Sequence, residues 1–193
     1  RLNSTIIEVT KNLDAYEIVK ATRPLLDLVQ DLSLWYVRRS RERVKEDSPD
    51  GQQALATLRE VLRKLSLLMA PVTPFLAEII YREIGGEKES VHLEDWPQAD
   101  KKKIDEKLEM QMTEVRQAVS EALRLRAEAK IKVRQPLASL QATSYQLQAF
   151  PELLRLIKDE VNVKEVTFGE EIKLDTVLTA ELKEEGLVRE FVR

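Results

Sequence analysis

The groups with the clearest capacity for chemistry are basic side chains crowded into residues 35–45. The basic residues of this segment are Arg38, Arg39, Arg41, Arg43 and Lys45. The segment contains a single acidic residue, Glu42. Because successive residues of a helix rotate by about 100°, these side chains spread around a helix too widely for one acidic neighbour to neutralise. Guanidinium groups hold phosphates through paired hydrogen bonds and stack on nucleobases. The pattern therefore indicates a phosphate-binding surface.

A second interpretation of the same segment is a solvated helix end, because the helix dipole favours cations near the C-terminus. Trp35 and Tyr36 precede the arginines and could stack on bases, but Trp35 also lies on an apolar helical stripe. We expect both aromatic side chains to anchor the core. The sequence by itself leaves phosphate binding and simple solvation of the arginines as alternatives.

A second basic cluster lies between residues 116 and 134, where two glutamates face six basic side chains. The basic residues are Arg116, Arg124, Arg126, Lys130, Lys132 and Arg134. The alternation in residues 131–136 predicts an extended segment in which Ile131 and Val133 pack inward while the cations share the other side. A solvated helix exit is the alternative. The candidate phosphate-binding residues of this segment are Lys132, Arg134 and Gln135.

Catalytic and metal-binding chemistry finds little support in the sequence. The chain has no cysteine and one histidine, His92, so thiolate nucleophiles, disulfides and cysteine-based zinc sites are excluded. There is no glycine-rich phosphate loop, and the carboxylates alternate with lysine and arginine as they do on solvated helix faces. We expect no catalytic residue, no metal and no cofactor in this chain, and a structural loop position for His92.

Composition favours long, charged helices. Charged residues make up 34% of the chain, and it has only five glycines. The net charge of −3 argues against a uniformly basic surface, so any phosphate-binding face must be local. The sequence has no apolar run long enough to span a bilayer, and together with the lack of cysteine this predicts a soluble, cytoplasmic protein. Because the chain starts at Arg1 without an initiator methionine, we expect a piece of a longer protein.

Helical spacing of apolar residues predicts four helices joined by short loops in residues 1–97. Asp14 and Glu17 resemble a capping box that begins the second helix. This helix runs to about Lys45, and Pro24 inside it removes a backbone donor and should kink it. The prediction is a four-helix bundle.

Prolines and glycines mark where the third and fourth helices begin and end. Ser48–Pro49 and Thr73–Pro74 each combine a capping residue with a first-turn proline. Gly85–Gly86 ends the fourth helix, because the left-handed conformation costs little for glycine. The apolar positions of the fourth helix are Phe75, Ile79, Ile80 and Ile84.

Residues 98–193 are predicted to form a second, smaller element of mixed α and β structure. The polar stretch 87–103, which ends in three lysines, marks the boundary. The alternation of Ile172, Leu174 and Leu178 predicts a half-buried strand that faces a core. The other predicted elements are a helix over 104–130, a strand over 137–143, a helix over 151–160, a strand over 163–168 and a helix over 179–193.

Five segments, in order along the chain, resemble one known family. They are Asp31–Arg43, Ala70–Glu78, Ser90–Pro97, Lys130–Leu137 and Asn162–Val166. Each is similar to a segment of the isoleucyl-tRNA synthetases. Valyl- and leucyl-tRNA synthetases share the helical bundle, but the arginine-rich run together with Ser90–Leu93 is more similar to the isoleucyl enzymes.

The resemblance implies a mainly α fold, the anticodon-binding helical bundle of a class I synthetase followed by a smaller α/β C-terminal element. It implies isoleucine tRNA as a partner and an upstream catalytic domain in the same polypeptide, where ATP and Mg²⁺ would bind. The alternative from another class is a non-catalytic helical scaffold that docks an acidic partner. The expected RNA-binding residues are Arg38, Arg39, Arg41 and Arg43, with Lys132, Arg134 and Gln135 as a second set.

Overall fold

The computed structural model describes residues 1–191. The chain divides into two compact units, Arg1–Ile104 and Asp105–Arg193. The first unit thus extends beyond residue 97, where the sequence pattern places the boundary. The fold is mainly α with one small sheet, as expected. Within the described residues, none of the helices combines the length and the apolar character needed to cross a membrane.

Four helical segments build the first unit. The second segment is continuous from Ile18 to Lys45 but contains a π-helical turn, in which backbone hydrogen bonds span five residues instead of four. The helices are α1 (Leu2–Asp14), α2 (Ile18–Asp31), the π turn (Leu32–Val37), α3 (Arg38–Lys45), α4 (Pro49–Met69) and α5 (Pro74–Glu83). The four-helix prediction is therefore confirmed. The buried core includes Ile6, Val9, Leu25, Leu28 and Leu68.

The proline and glycine signals of the first unit act mostly as predicted. The Ser48 hydroxyl accepts a hydrogen bond from the Gly51 amide at 3.1 Å and caps α4. Proline also begins α5, although the Thr73 side chain makes no capping hydrogen bond there. Gly85 has a φ of 72°, which is the left-handed conformation that ends the helix.

The predicted capping box at the start of α2 is wrong. Asp14 is the last residue of α1, and Glu17 makes no side-chain capping bond. The chain turns instead through Tyr16, whose φ is 57°. The Glu17 amide then donates to the Asn12 carbonyl at 2.8 Å, so the end of α1 organises this turn through backbone groups.

The segment after α5 closes the bundle through partly buried hydrogen bonds. The Tyr81 hydroxyl donates to the Glu94 carboxylate, and the Glu78 carboxylate accepts from the Val91 amide at 2.9 Å. The Trp96 indole donates to the Thr10 hydroxyl at 2.8 Å, which ties the loop to α1.

Not every apolar residue of the predicted fourth helix is in the core. Phe75 and Ile79 lie on the exposed face of α5, whereas Ala77 and Tyr81 are its buried residues. Ile80 and Ile84 of the predicted stripe are half-buried, so α5 buries a face that includes only part of that stripe.

The second unit is a small sheet with helices. Strand β1 (Leu137–Ala142) pairs in parallel with β2 (Val163–Phe168) and antiparallel with β3 (Lys173–Leu174), so the strand order is β2-β1-β3. Asp105 accepts a hydrogen bond from the Leu108 amide at 2.9 Å and caps the first helix. The elements are α6 (Glu106–Glu128), β1 (Leu137–Ala142), α7 (Pro151–Val161), β2 (Val163–Phe168), β3 (Lys173–Leu174) and α8 (Ala180–Phe191).

The last predicted strand is much shorter than its alternation suggests. Only Lys173–Leu174 pairs with β1, and the remainder up to Thr179 is irregular. Ile172, Leu174 and Leu178 are half-buried and do not form a closed core face. The predicted final helix is present as α8, but its residues 192–193 lie outside the described part.

Candidate nucleic-acid interface

The arginine-rich helix α3 packs one narrow face inward and exposes the rest. Ser40 is buried and Val44 is half-buried, while the arginines predicted to bind RNA are all exposed. The helix packs against α4. The inward face consequently contains small or apolar side chains, and the guanidinium groups spread over the outer surface. These outer side chains are Arg38, Arg39, Arg41 and Arg43.

Arg43 is held in place by the start of α4. Its Nε and Nη2 atoms donate to the two carboxylate oxygens of Asp50 at 2.6 and 2.8 Å. This paired hydrogen bond raises the pKa of Arg43 and lowers the pKa of Asp50. Lys45 pairs with Glu42 at 2.8 Å. Arg43 and Lys45 thus have acidic partners within the protein.

Arg41 is available to an external anion. Arg41 is exposed and makes no hydrogen bond or ion pair with any residue in 1–191. Arg38 donates from Nε to the Leu34 carbonyl at 2.8 Å, a bond that orients its guanidinium group. The segment therefore displays a positive surface on an ordered helix.

Of the two aromatic residues before the arginines, Tyr36 is an anchor, as expected. The Tyr36 hydroxyl donates to the Ala54 carbonyl at 2.9 Å and links this segment to α4. Trp35 is half-buried. The exposed apolar side chains of the π turn are instead Leu34 and Val37.

The second candidate set lies on a turn and not on the predicted extended segment. Lys130 has a φ of 56°, and the Gln135 amide donates to the Lys132 carbonyl at 3.0 Å. Val133 is exposed, so the predicted inward packing of Val133 is wrong. A tight turn replaces the alternation because the backbone carbonyls here have partners elsewhere in the unit.

Arg126 supplies one of those partners and is not part of a basic surface. Only 1% of it is exposed. Its Nη1 atom donates to the carbonyls of Lys132 and Gln135 at 3.0 Å, and its Nη2 atom donates to the Asn162 carbonyl at 2.9 Å. Burial lowers the pKa of Arg126 to about 10. This side chain therefore shapes the turn from inside.

The three predicted RNA-binding residues of the turn differ in their surroundings. Lys132 forms an ion pair with Glu190 of α8, and the Gln135 side-chain amide donates to the Leu182 carbonyl. Arg134 is exposed and has no direct ion pair in the described residues. These side chains border a shallow groove of about 260 Å³ against α8. Arg134 is the member of this set with the most freedom to bind an external phosphate.

The structural roles of Arg126 and Asn162 were not predicted, although the sequence contains a signal for each of them. Arg126 continues the spacing of the buried residues Val115, Val119 and Ala122 on α6, which marks the inner face. Asn162 directly follows α7 with a φ of 55°, a position that favours asparagine. Its side chain donates to the carbonyls of residues 133 and 134 at 2.9 Å.

Histidine and carboxylate side chains do not form a metal-binding cluster in the part of the chain that the structure describes. In residues 1–191, no group of three or more His, Asp or Glu side chains is arranged to hold a metal ion. His92 lies exposed in a short 3-10 turn, Val91–Leu93. Its backbone amide donates to the Ser90 hydroxyl at 3.3 Å, so its visible role is in the loop that closes the bundle.

The described chain is a helical bundle with an exposed arginine helix, followed by a small α/β unit. Residues 1–142 match the family described as the anticodon-binding domain of tRNA ligase. The chain belongs to this family.

The chain is similar over most of its length to several isoleucine–tRNA ligases. The chain is 42% identical over 174 residues to an isoleucine–tRNA ligase of Deinococcus radiodurans, which covers 88% of this chain and 16% of the relative. It is 41% identical over 175 residues to the isoleucine–tRNA ligase of Protochlamydia amoebophila, covering 87% and 17%. The corresponding enzyme of Pyrococcus abyssi is 40% identical over 178 residues, covering 88% and 17%. The chain thus spans about a sixth of the length of these relatives.

Proposed function

We propose that this chain recognises the anticodon stem-loop of isoleucine tRNA as part of an isoleucine–tRNA ligase. The observation that carries the proposal is the exposed arginine surface of α3, which lies within the residues that match the anticodon-binding family. Identity to isoleucine–tRNA ligases from two bacteria and an archaeal relative supports the choice of amino acid.

The α3 arginines would act by holding the phosphates of the stem-loop. Phosphate contacts fix the register and orientation of a nucleic acid, while contacts to splayed loop bases supply sequence recognition. Arg43, fixed by Asp50, presents an ordered edge of this surface. Arg41, without a partner in the described residues, can give its full charge to a phosphate. Arg38 and Arg39 extend the same surface.

The turn in the second unit would supply a second group of contacts. Arg134 is its principal candidate because Lys132 and Gln135 already have partners on α8. An anion that competes with Glu190 would release Lys132, because an exposed ion pair of this kind contributes only about 0 to 1 kcal/mol. Gln135 would then act mainly by holding the turn against α8.

The parent protein would carry out the chemistry elsewhere in its sequence. Ligation of isoleucine to tRNA needs ATP and Mg²⁺, and we assign their binding to an upstream catalytic domain of the same polypeptide, acting in the cytoplasm. The present chain would help the parent protein to select the correct tRNA. The 193-residue chain alone should show only background isoleucine-dependent ATP–pyrophosphate exchange.

A salt titration of tRNA binding tests the proposal. The chain should prefer isoleucine tRNA to a non-cognate tRNA, and its affinity should fall steeply as salt rises, because phosphate contacts release counterions. Arg41→Ala should weaken binding, whereas Arg23→Ala, at an exposed arginine of α2, should not. Binding that is weak, insensitive to salt and equal for an acidic protein would support a scaffold role and overturn the proposal.

A further inference from the structure

Four consecutive backbone carbonyls in the turn before β1, those of residues 132–135, point toward the inside of the second unit. The buried Arg126 guanidinium donates to the first and the last of them at 3.0 Å. The Asn162 side-chain amide donates to the two between them at 2.9 Å. Arg126 also donates to the Asn162 carbonyl at 2.9 Å, so both donors lie together on the inner side of the turn.

The backbone amides of Val133 and Arg134 consequently point away from this inner side. In a planar trans peptide unit, the C=O bond and the N–H bond of the next residue are antiparallel, and the peptide units of this turn are trans. The carbonyls of Lys132 and Val133 point inward, so the N–H groups that follow each of them point outward. Neither amide donates a hydrogen bond to any residue that the structure describes. Two adjacent donors therefore remain for a group from outside the chain.

The side chains around these two amides favour a negatively charged group. Val133 and its neighbours Lys132 and Arg134 are all exposed. Lys130, Lys132 and Arg134 border the groove of about 260 Å³ beside the turn. Glu190 is the acidic side chain among the described residues that line this groove, and it pairs with Lys132. Three cations thus face one carboxylate.

The arrangement has the chemistry of a phosphate site. Successive outward N–H groups in a turn hold anionic oxygens, and a guanidinium group adds paired, charge-assisted hydrogen bonds. Exposed carbonyl oxygens would repel an anion, but in this turn they are directed to Arg126 and Asn162. The surface that remains carries donors and positive charge.

We propose that the turn at residues 132–135 is a phosphate-binding loop, in which the backbone amides of Val133 and Arg134 hold the oxygens of an RNA phosphodiester. The side chains of Lys132 and Arg134 balance its charge. The assignment to RNA rests on the proposed function, whereas the anion site itself follows from the backbone geometry of the turn.

Val133→Pro removes one of the two amide donors without removing a hydrogen bond of the fold. The Gln135 amide donates to the Lys132 carbonyl at 3.0 Å, which closes a β-turn with Val133 as its second residue. Proline is favoured at that position, and the φ of Val133 is not positive. Val133→Ala is the matched control, because it changes the same exposed side chain and keeps the N–H group. Both variants should melt within a few degrees of the parent, as exposed substitutions usually do.

Inorganic phosphate is the probe for the anion site, and amide NMR of the 193-residue chain is the measurement. The amide protons of Val133 and Arg134 should move downfield and saturate as phosphate is added, and chloride at equal ionic strength should not reproduce the change. The Leu137 amide, which donates to the Asn162 carbonyl at 3.1 Å, should hardly move. A response confined to lysine and arginine side chains would overturn the amide site, whatever the variants do.

Binding of isoleucine tRNA to the two variants tests the assignment to RNA. Val133→Pro should bind roughly tenfold more weakly than Val133→Ala, the usual loss for one hydrogen bond to a charged group. Equal tRNA affinity of the two variants, together with a parental response of the amides to phosphate, would overturn the assignment to RNA. If the parent itself failed to prefer isoleucine tRNA, the proposed function would fail while the phosphate titration still decided the anion site.

Discussion

The side-chain amide of Asn12 donates a hydrogen bond at 3.2 Å to the backbone carbonyl of Lys20. Lys20 lies four residues before Pro24, which is inside α2. Proline has no N–H, so it cannot bond the carbonyl at that position. Asn12, at the end of α1, supplies the missing donor. The contact explains how a proline is accommodated within the helix.

This relationship predicts a coupling between Asn12 and Pro24. Asn12→Ala should lower the free energy of unfolding by about 0.5 to 1 kcal/mol, the usual net value of a hydrogen bond. In a Pro24→Ala background the new backbone N–H can bond the Lys20 carbonyl, so Asn12→Ala should then have little effect. Urea unfolding of the four chains gives the coupling free energy. Equal effects in both backgrounds would contradict the explanation.

A second prediction concerns Arg126. Arg126→Leu removes the donors for three backbone carbonyls while keeping an apolar side chain, so it should destabilise the second unit by about 3 kcal/mol. Arg124 is the matched control on the same helix. It is exposed and paired with Glu121 and Glu128, and Arg124→Ala should cost less than about 1 kcal/mol. Thermal unfolding measures both variants, and equal shifts in melting temperature would refute the buried role.

The melting temperature should fall at acidic pH, and this acidic limb of the plot of melting temperature against pH should depend on Glu94. The hydrogen bond from the Tyr81 hydroxyl, followed by the charge of Arg63, lowers the pKa of Glu94. A carboxylate whose pKa is lower in the folded state stabilises the fold above its unfolded pKa of about 4.3 and loses that contribution as the pH falls. The melting temperature should therefore drop as the pH falls from about 5 toward 3.

Substitution at Glu94 separates this effect from general acid unfolding. Glu94→Gln should lower stability at neutral pH and make the acidic limb less steep, because the group that loses its charge has been removed. Asp95→Asn changes an exposed carboxylate in the same loop and should leave the limb almost unaltered. The prediction is contradicted if both variants retain the pH profile of the parent.

Local signals predicted most of the fold because they act within a few residues. Ser48 before Pro49, and Gly85 after α5, set helix ends through bonds that the sequence itself brings together. The strands Leu137–Ala142 and Val163–Phe168 were predicted closely for the same reason. The capping box failed because Asp14 remained in α1, where the backbone turn at Tyr16 already satisfied the helix end.

The sequence predicted which helix displays exposed arginines, but not which basic side chains of the second cluster are exposed. The arginines of α3 were identified by charge alone, and they are exposed as expected. Charge did not distinguish Arg126, which is buried, from Arg134, which is exposed. That difference depends on carbonyl groups contributed by residues as distant as Asn162. The π turn likewise depends on how α3 packs against α4, which apolar spacing within one helix does not reveal.

The final prediction is that removing all four α3 arginines will weaken tRNA binding far more than it weakens folding. The variant replaces Arg38, Arg39, Arg41 and Arg43 with alanine. Their side chains are exposed, and exposed ion pairs contribute only about 0 to 1 kcal/mol each, so the melting temperature should change by a few degrees. Each lost contact to a single-stranded phosphate should reduce the slope of log affinity against log salt by about 0.7. The salt slope should therefore flatten visibly.

Single substitutions then sort the arginines by role. An arginine that contacts only phosphate should, when changed to alanine, weaken cognate and non-cognate tRNA alike. An arginine that contacts a loop base should also reduce the preference for isoleucine tRNA. Arg43→Ala differs from the rest because it also breaks the paired bond to Asp50, so Asp50→Asn is its control for stability. An unfolded quadruple variant, or one with the affinity and salt slope of the parent, would place the RNA-binding surface elsewhere in the chain.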